Sequence, residues 1–65
     1  MNKQRERYEK ETEGMTLKEK LEWVRKKLFY IKVDNYIEDW DEYRNYKEIE
    51  RELEELIENE KKHNN

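Results

Sequence analysis

Thr16-Leu17-Lys18-Glu19-Lys20-Leu21-Glu22-Trp23-Val24-Arg25-Lys26-Lys27-Leu28-Phe29-Tyr30-Ile31 is the stretch that decides the fold. Its apolar residues Leu17, Leu21, Val24, Leu28 and Ile31 recur at alternating intervals of four and three. That alternation draws one stripe along a helix and cannot line one face of a strand. The start is marked as well. Thr16 is an N-cap and Glu19 follows three residues later, a capping box in which each side chain takes up a free backbone N–H. Lys26, Lys27 and Lys32 crowd the far end, where the helix dipole favours cations. The spacing predicts a helix over residues 17–33.

Downstream, the pattern breaks at Val33-Asp34-Asn35, where short polar side chains favour turns. A second helix is predicted over residues 39–61, capped by Asp39 or Asp41. Its apolar seam is Tyr46, Ile49, Leu53, Leu56 and Ile57, which Tyr43 and Trp40 continue with a rotation. The link from Asp34 to Glu38 is short, so the two helices should run antiparallel. Fraying is expected over Glu60–Asn65. Upstream, residues 1–14 hold two apolar side chains, Met1 and Tyr8. A short helix fits there, as a solvated arm that is not expected to drive packing, and Gly14 would end it. The organisation is therefore a charged arm (1–14), a helical hairpin (15–62) and a frayed tail (63–65). The fold class is all-α, with the hairpin expected to assemble into a multi-helix bundle. The expected core is Leu17, Leu21, Val24, Leu28, Ile31, Ile49, Leu53, Leu56 and Ile57.

Composition agrees with helices. Of 65 residues, 15 are Lys or Arg and 18 are Asp or Glu, with one Gly, no Pro and no Cys. Chains rich in Glu, Lys, Arg and Leu that lack helix breakers form long helices or coiled coils. The two signs nearly cancel overall but not locally. Residues 1–33 carry ten basic and six acidic side chains, and residues 38–60 carry three basic and eleven acidic ones. An antiparallel hairpin would set the basic helix beside the acidic one, so that flanking charges attract across the seam.

The same composition excludes much chemistry. With no Ser, no Cys and one His (His63, in the expected tail), a nucleophile with its base is close to impossible. A single Gly cannot build a phosphate-cradling loop, and one His without Cys cannot hold zinc. Asp34, Glu38, Asp39, Asp41 and Glu42 cluster at the turn, yet no central Gly spaces them as a calcium loop requires. The chain reads as non-enzymatic, with no cofactor and no metal. The absence of an apolar run of about 20 residues speaks against a membrane span. The N-terminus lacks the apolar core of a signal peptide, and the expectation is a cytoplasmic chain.

What remains is binding. Trp23 and Tyr30 project to one side of the predicted seam, and Phe29 and Val33 to another. Phe29, Tyr30, Tyr36, Trp40, Tyr43 and Tyr46 gather around the turn. One hairpin cannot cover all of these, and exposed aromatics mark interfaces. Trp23, Tyr30, Trp40 and Tyr43 are the expected anchors. Glu48, Glu52 and Glu55 are the expected charged surface, able to mimic nucleic acid or simply to be solvated. Arg25, Lys26 and Lys27 beside Trp23, Phe29 and Tyr30 offer the alternative of nucleotide or nucleic-acid binding. A third reading is a structural homo-oligomer.

Glu50-Arg51-Glu52-Leu53-Glu54 is similar to the Ser-Gln-Glu-Leu-Asp motif of the sporulation aspartyl-phosphate phosphatases, which it matches at Glu52 and Leu53. Where that motif ends in Asp this chain has Glu54, so the phosphatase activity is not implied. Glu55 to Lys61 resembles a stretch found in small sporulation inhibitors of histidine kinases. The resemblance implies a class: small acidic helical hairpins of low-GC bacteria that dock on larger proteins. The bias to Lys, Glu, Asn, Tyr and Ile fits an AT-rich bacterium or its phage. The combined expectation is a regulatory or inhibitory protein, of the phage or mobile-element accessory kind, whose partner is a larger protein or a second copy.

Overall fold

The computed structural model describes residues 3–33 and 40–63. Three α-helices account for nearly all of them: α1 (Lys3–Glu11), α2 (Leu17–Val33) and α3 (Trp40–His63). No strand occurs among the described residues. The antiparallel hairpin of α2 and α3 is as the apolar spacing predicts, and α1 packs onto α3. The turn Asp34–Glu38, the Asp39 cap, Tyr36 and the rest of the acidic cluster before Trp40 lie outside the described residues, as do Met1 and the last two residues.

The start of α2 is the expected capping box. The Glu19 N–H donates to Thr16 Oγ1, and the Thr16 N–H donates to Glu19 Oε1, each at 3.2 Å. A cap of this kind stabilises a helix by about 1 kcal/mol. α3 continues two residues past the expected end, through His63. Lys61 and Lys62 give that end the basic side chains its dipole favours.

The core is a single seam. Leu21, Val24 and Leu28 of α2 meet Tyr46, Ile49 and Leu53 of α3, with Val24 and Ile49 almost fully enclosed. Leu17, Ile31 and Ile57 pack against its edges. The molecule measures 43 × 21 × 17 Å. A helix is about 10 Å across with its side chains. The cross-section is therefore wider than two helices side by side, and α1 fills the third position against α3. α3, at 24 residues, sets the length.

Two expectations are corrected. The arm 1–14 does take part in packing: Tyr8 belongs to the core cluster. One large aromatic at the right helical position is enough to seat a short helix against a ready-made apolar edge. Leu56, expected in the core, is half exposed. Asn45, Ile49, Glu52 and Leu56 form one stripe of α3, and α1 reaches that stripe through Gln4 at Asn45 and Arg5 at Glu52. Leu56 lies one turn beyond the last of these contacts.

Candidate interaction surface

The aromatic residues divide into two groups. The first is internal. The Trp23 ring lies 6.0 Å from Tyr8 and 6.0 Å from Tyr46, at angles of 54° and 66°. Tilted and edge-to-face contacts are the favoured geometries for such rings. Lys27 Nζ covers the outer side of Trp23 at 5.1 Å from the ring centre, an added cation–π contact. Burial pushes the hydroxyls of Tyr8 and Tyr46 above the ordinary tyrosine range, and the nearby Glu42 carboxylate adds to the shift at Tyr46. Of the four expected anchors, Trp23 is thus half-buried and joins all three helices.

The second group faces outward at the end of the hairpin where α2 finishes and α3 begins. Phe29 is 62% exposed, Tyr30 58% and Trp40 58%. Phe29 and Tyr30 stand edge to face at 6.0 Å, and Trp40 and Tyr43 do the same at 5.9 Å. Tyr43 is half-buried against the core, with Lys47 Nζ 5.9 Å from its ring centre.

Ion pairs fix the side taken by Phe29 and Tyr43, whereas Tyr30, seven residues after Trp23, stays on the Trp23 side of α2. Arg25 reaches across the seam to Glu50 and Glu54, each at 3.4 Å. Lys47 meets Glu50 at the same distance. Phe29 lies one turn past Arg25 on α2, and Tyr43 one turn before Lys47 on α3. Both therefore fall on the Arg25–Glu50 side of the hairpin, with Trp40 a further turn along. Among the described residues, Lys26 and Arg44 have no ion-pair partner. They stand one turn from Tyr30 and Trp40 respectively. The outward rings are thus flanked by two uncommitted cations.

The expected acidic surface is partly engaged within the fold. Glu52 is bonded to Arg5 of α1, while Glu50 and Glu54 serve Arg25 on the opposite flank. Glu48 and Glu55 remain exposed on the outer face of α3, with Arg51 between them. Glu48, Glu52 and Glu55, four and three residues apart, share one stripe of α3, and Glu50 and Glu54 lie on its other flank. Arg25, one of three residues expected to hold nucleic acid, is occupied by its own helix partner, and Lys27 by Trp23.

Elsewhere the described surface carries open depressions with charged linings, such as the one bordered by Met15, Glu19, Glu22, Trp23 and Lys26. No three His, Asp or Glu side chains among the described residues are placed to hold a metal ion. No described helix is long and apolar enough to cross a membrane.

Sequence reasoning missed Tyr8 and Thr12. Thr12 is fully enclosed, and its hydroxyl donates to the Tyr8 carbonyl at 2.5 Å. The only signal was a lone aromatic in a polar arm, one turn before a Thr. No protein-family model, curated protein or solved structure matches this chain. The likeness at Glu50 to Glu54 therefore assigns no family.

Proposed function

We propose that this chain is a small non-enzymatic binding protein that regulates a larger protein by docking the outward aromatic end of the hairpin, with Phe29, Tyr30 and Trp40 as anchors and the half-buried Tyr43 beside Trp40. One observation carries the reading. A chain whose residues are only 32% hydrophobic leaves three of its largest side chains more than half exposed, at one end of the molecule. Among the described residues the core cluster forms without them, so its packing does not account for their presence. Large aromatics dominate binding energetics because each buries much area with few rotatable bonds. Lys26 and Arg44 at the margin favour a partner surface that is apolar at its centre and acidic at its rim.

The test is capture from a lysate of the source organism on the immobilised 65-residue chain. A protein retained by the wild type should be lost from Phe29→Ala and from Trp40→Ala, with helicity unchanged by circular dichroism. Retention by both variants would place binding elsewhere.

A second reading has its own support, since Lys26 and Arg44 beside exposed rings also suit single-stranded nucleic acid. Under it, a labelled oligothymidine would bind the wild type, fail to bind Lys26→Glu/Arg44→Glu, and weaken steeply as salt rises. Under the first reading no such binding is seen at physiological salt.

A further inference from the structure

The turn between α1 and α2 rests on one residue. Gly14 lies at φ +84°, in the left-handed region. A Cβ built there would meet nothing within 4 Å. Any substitution at this position therefore acts through backbone strain and not through collision. The turn is closed by the Met15 N–H, which donates to the Thr12 carbonyl at 3.0 Å.

This turn folds α1 back onto α3. Arg5 pairs with Glu52, the Gln4 and Asn45 side chains are bonded at 2.9 Å, and Tyr8 enters the core beside Trp23. α1 has nine residues, too few to hold a helix alone in water. Its helicity depends on its seat. The seat in turn is shaped for α1: an aromatic floor of Trp23 and Tyr46, a carboxylate at Glu52 for a cation, and an amide at Asn45. Only the five residues from Thr12 to Thr16 tie the two to the same chain. Extended, they span about 3.3 Å each, enough to pass one helix diameter of about 10 Å and reach a neighbour packed alongside.

We propose that the groove formed by Trp23, Asn45, Tyr46 and Glu52 takes α1 from a second copy, and that Gly14 sets the balance between the closed monomer and this reciprocal dimer. In the exchanged form each α1 makes the contacts of the closed form in trans, so only the turn differs. Glycine makes the closed turn inexpensive, and the tether gives self-docking a high effective concentration. The closed monomer dominates in dilute solution and the exchanged dimer grows with concentration. A residue that resists positive φ penalises the closed form in both copies. At roughly ten-fold for each turn, the equilibrium moves about a hundred-fold toward the dimer.

The chain has no Cys, so Arg5→Cys with Glu52→Cys reports the pairing directly when treated with a short bis-maleimide. A link within one chain marks the closed form, and a doubly linked pair of chains marks the exchanged one. With Gly14 retained, the linked dimer should increase from dilute to concentrated samples. Adding Gly14→Val should make it the main product at concentrations where the parent is monomeric. Adding Gly14→Asn, a residue that accepts the left-handed region, should leave the parent distribution nearly unchanged. The proposal is overturned if Gly14→Val gives only links within one chain. It is also overturned if Val and Asn give the same dimer fraction, or if Gly14→Val yields no link of either kind because α1 has simply detached.

Discussion

Tyr8, Trp23 and Tyr46 show how one residue serves two helices. Tyr46 is 2% exposed, yet its hydroxyl must stay neutral to be tolerated there. Burial raises the titration of both Tyr46 and Tyr8 above the unfolded value of about 10. For a group raised in this way the stabilisation is complete below the unfolded value and is lost as pH climbs through the folded one. The thermal midpoint should therefore fall above about pH 10, and the double variant Tyr8→Phe/Tyr46→Phe should lessen that fall. Thermal melts by circular dichroism between neutral and strongly alkaline pH test this; a fall of equal steepness in the variant would locate its origin elsewhere. Val24, Tyr46, Ile49 and Leu53 were legible because helical spacing alone puts them on the seam. Trp23 was legible as an aromatic off the seam, but not as a bridge. The residue that covers it lies in an arm whose composition is otherwise that of a solvated helix.

At the scale of the element, α1 poses a question of magnitude: whether its ion pair or its single ring holds it. Arg5 and Glu52 are 37% and 50% exposed, and pairs so open to solvent contribute on the order of 0.2–1 kcal/mol. Tyr8 is 9% exposed, and burial of a large aromatic contributes about 1.5–3 kcal/mol. The ring is the larger effect. Tyr8→Ala should release α1 and shift Trp23 emission to the red, whereas Arg5→Ala should leave that emission nearly in place. Fluorescence of the two variants in a Trp40→Phe background decides it, and a red shift in Arg5→Ala alone would reverse the ranking. The existence and bounds of α2 and α3 could be read from caps and spacing. The docking of α1 could not, because it depends on contacts such as Gln4 with Asn45 between residues far apart in sequence, which no local period records. The exposure of Leu56 follows from the same fact: its spacing matches the core, but α1 ends its contacts one turn short of it.

The whole molecule is a hairpin with a short third helix packed on it and its charges divided between helices. The Arg25 bridge to Glu50 and Glu54 is the visible result of that division, and it orients the two helices more than it stabilises them, since Arg25 itself is more than half exposed. What the division leaves over is an end with three outward rings. Sequence reasoning found Tyr30, Trp40 and Tyr43 there by excess, since more aromatics gather near the turn than one seam can cover. It could not separate Trp40 from Trp23, because both read as anchors and the position of α1, which covers Trp23, is not recorded in local spacing. That separation is the central claim: Trp23 holds the fold together, and Trp40 is presented outward for a partner. Acrylamide quenching of the two single-tryptophan variants in dilute solution tests it most directly. The chain with only Trp40 (Trp23→Phe) should be quenched several-fold more efficiently than the chain with only Trp23 (Trp40→Phe), provided that both keep their helicity. Equal quenching, or a protected Trp40, would contradict the account.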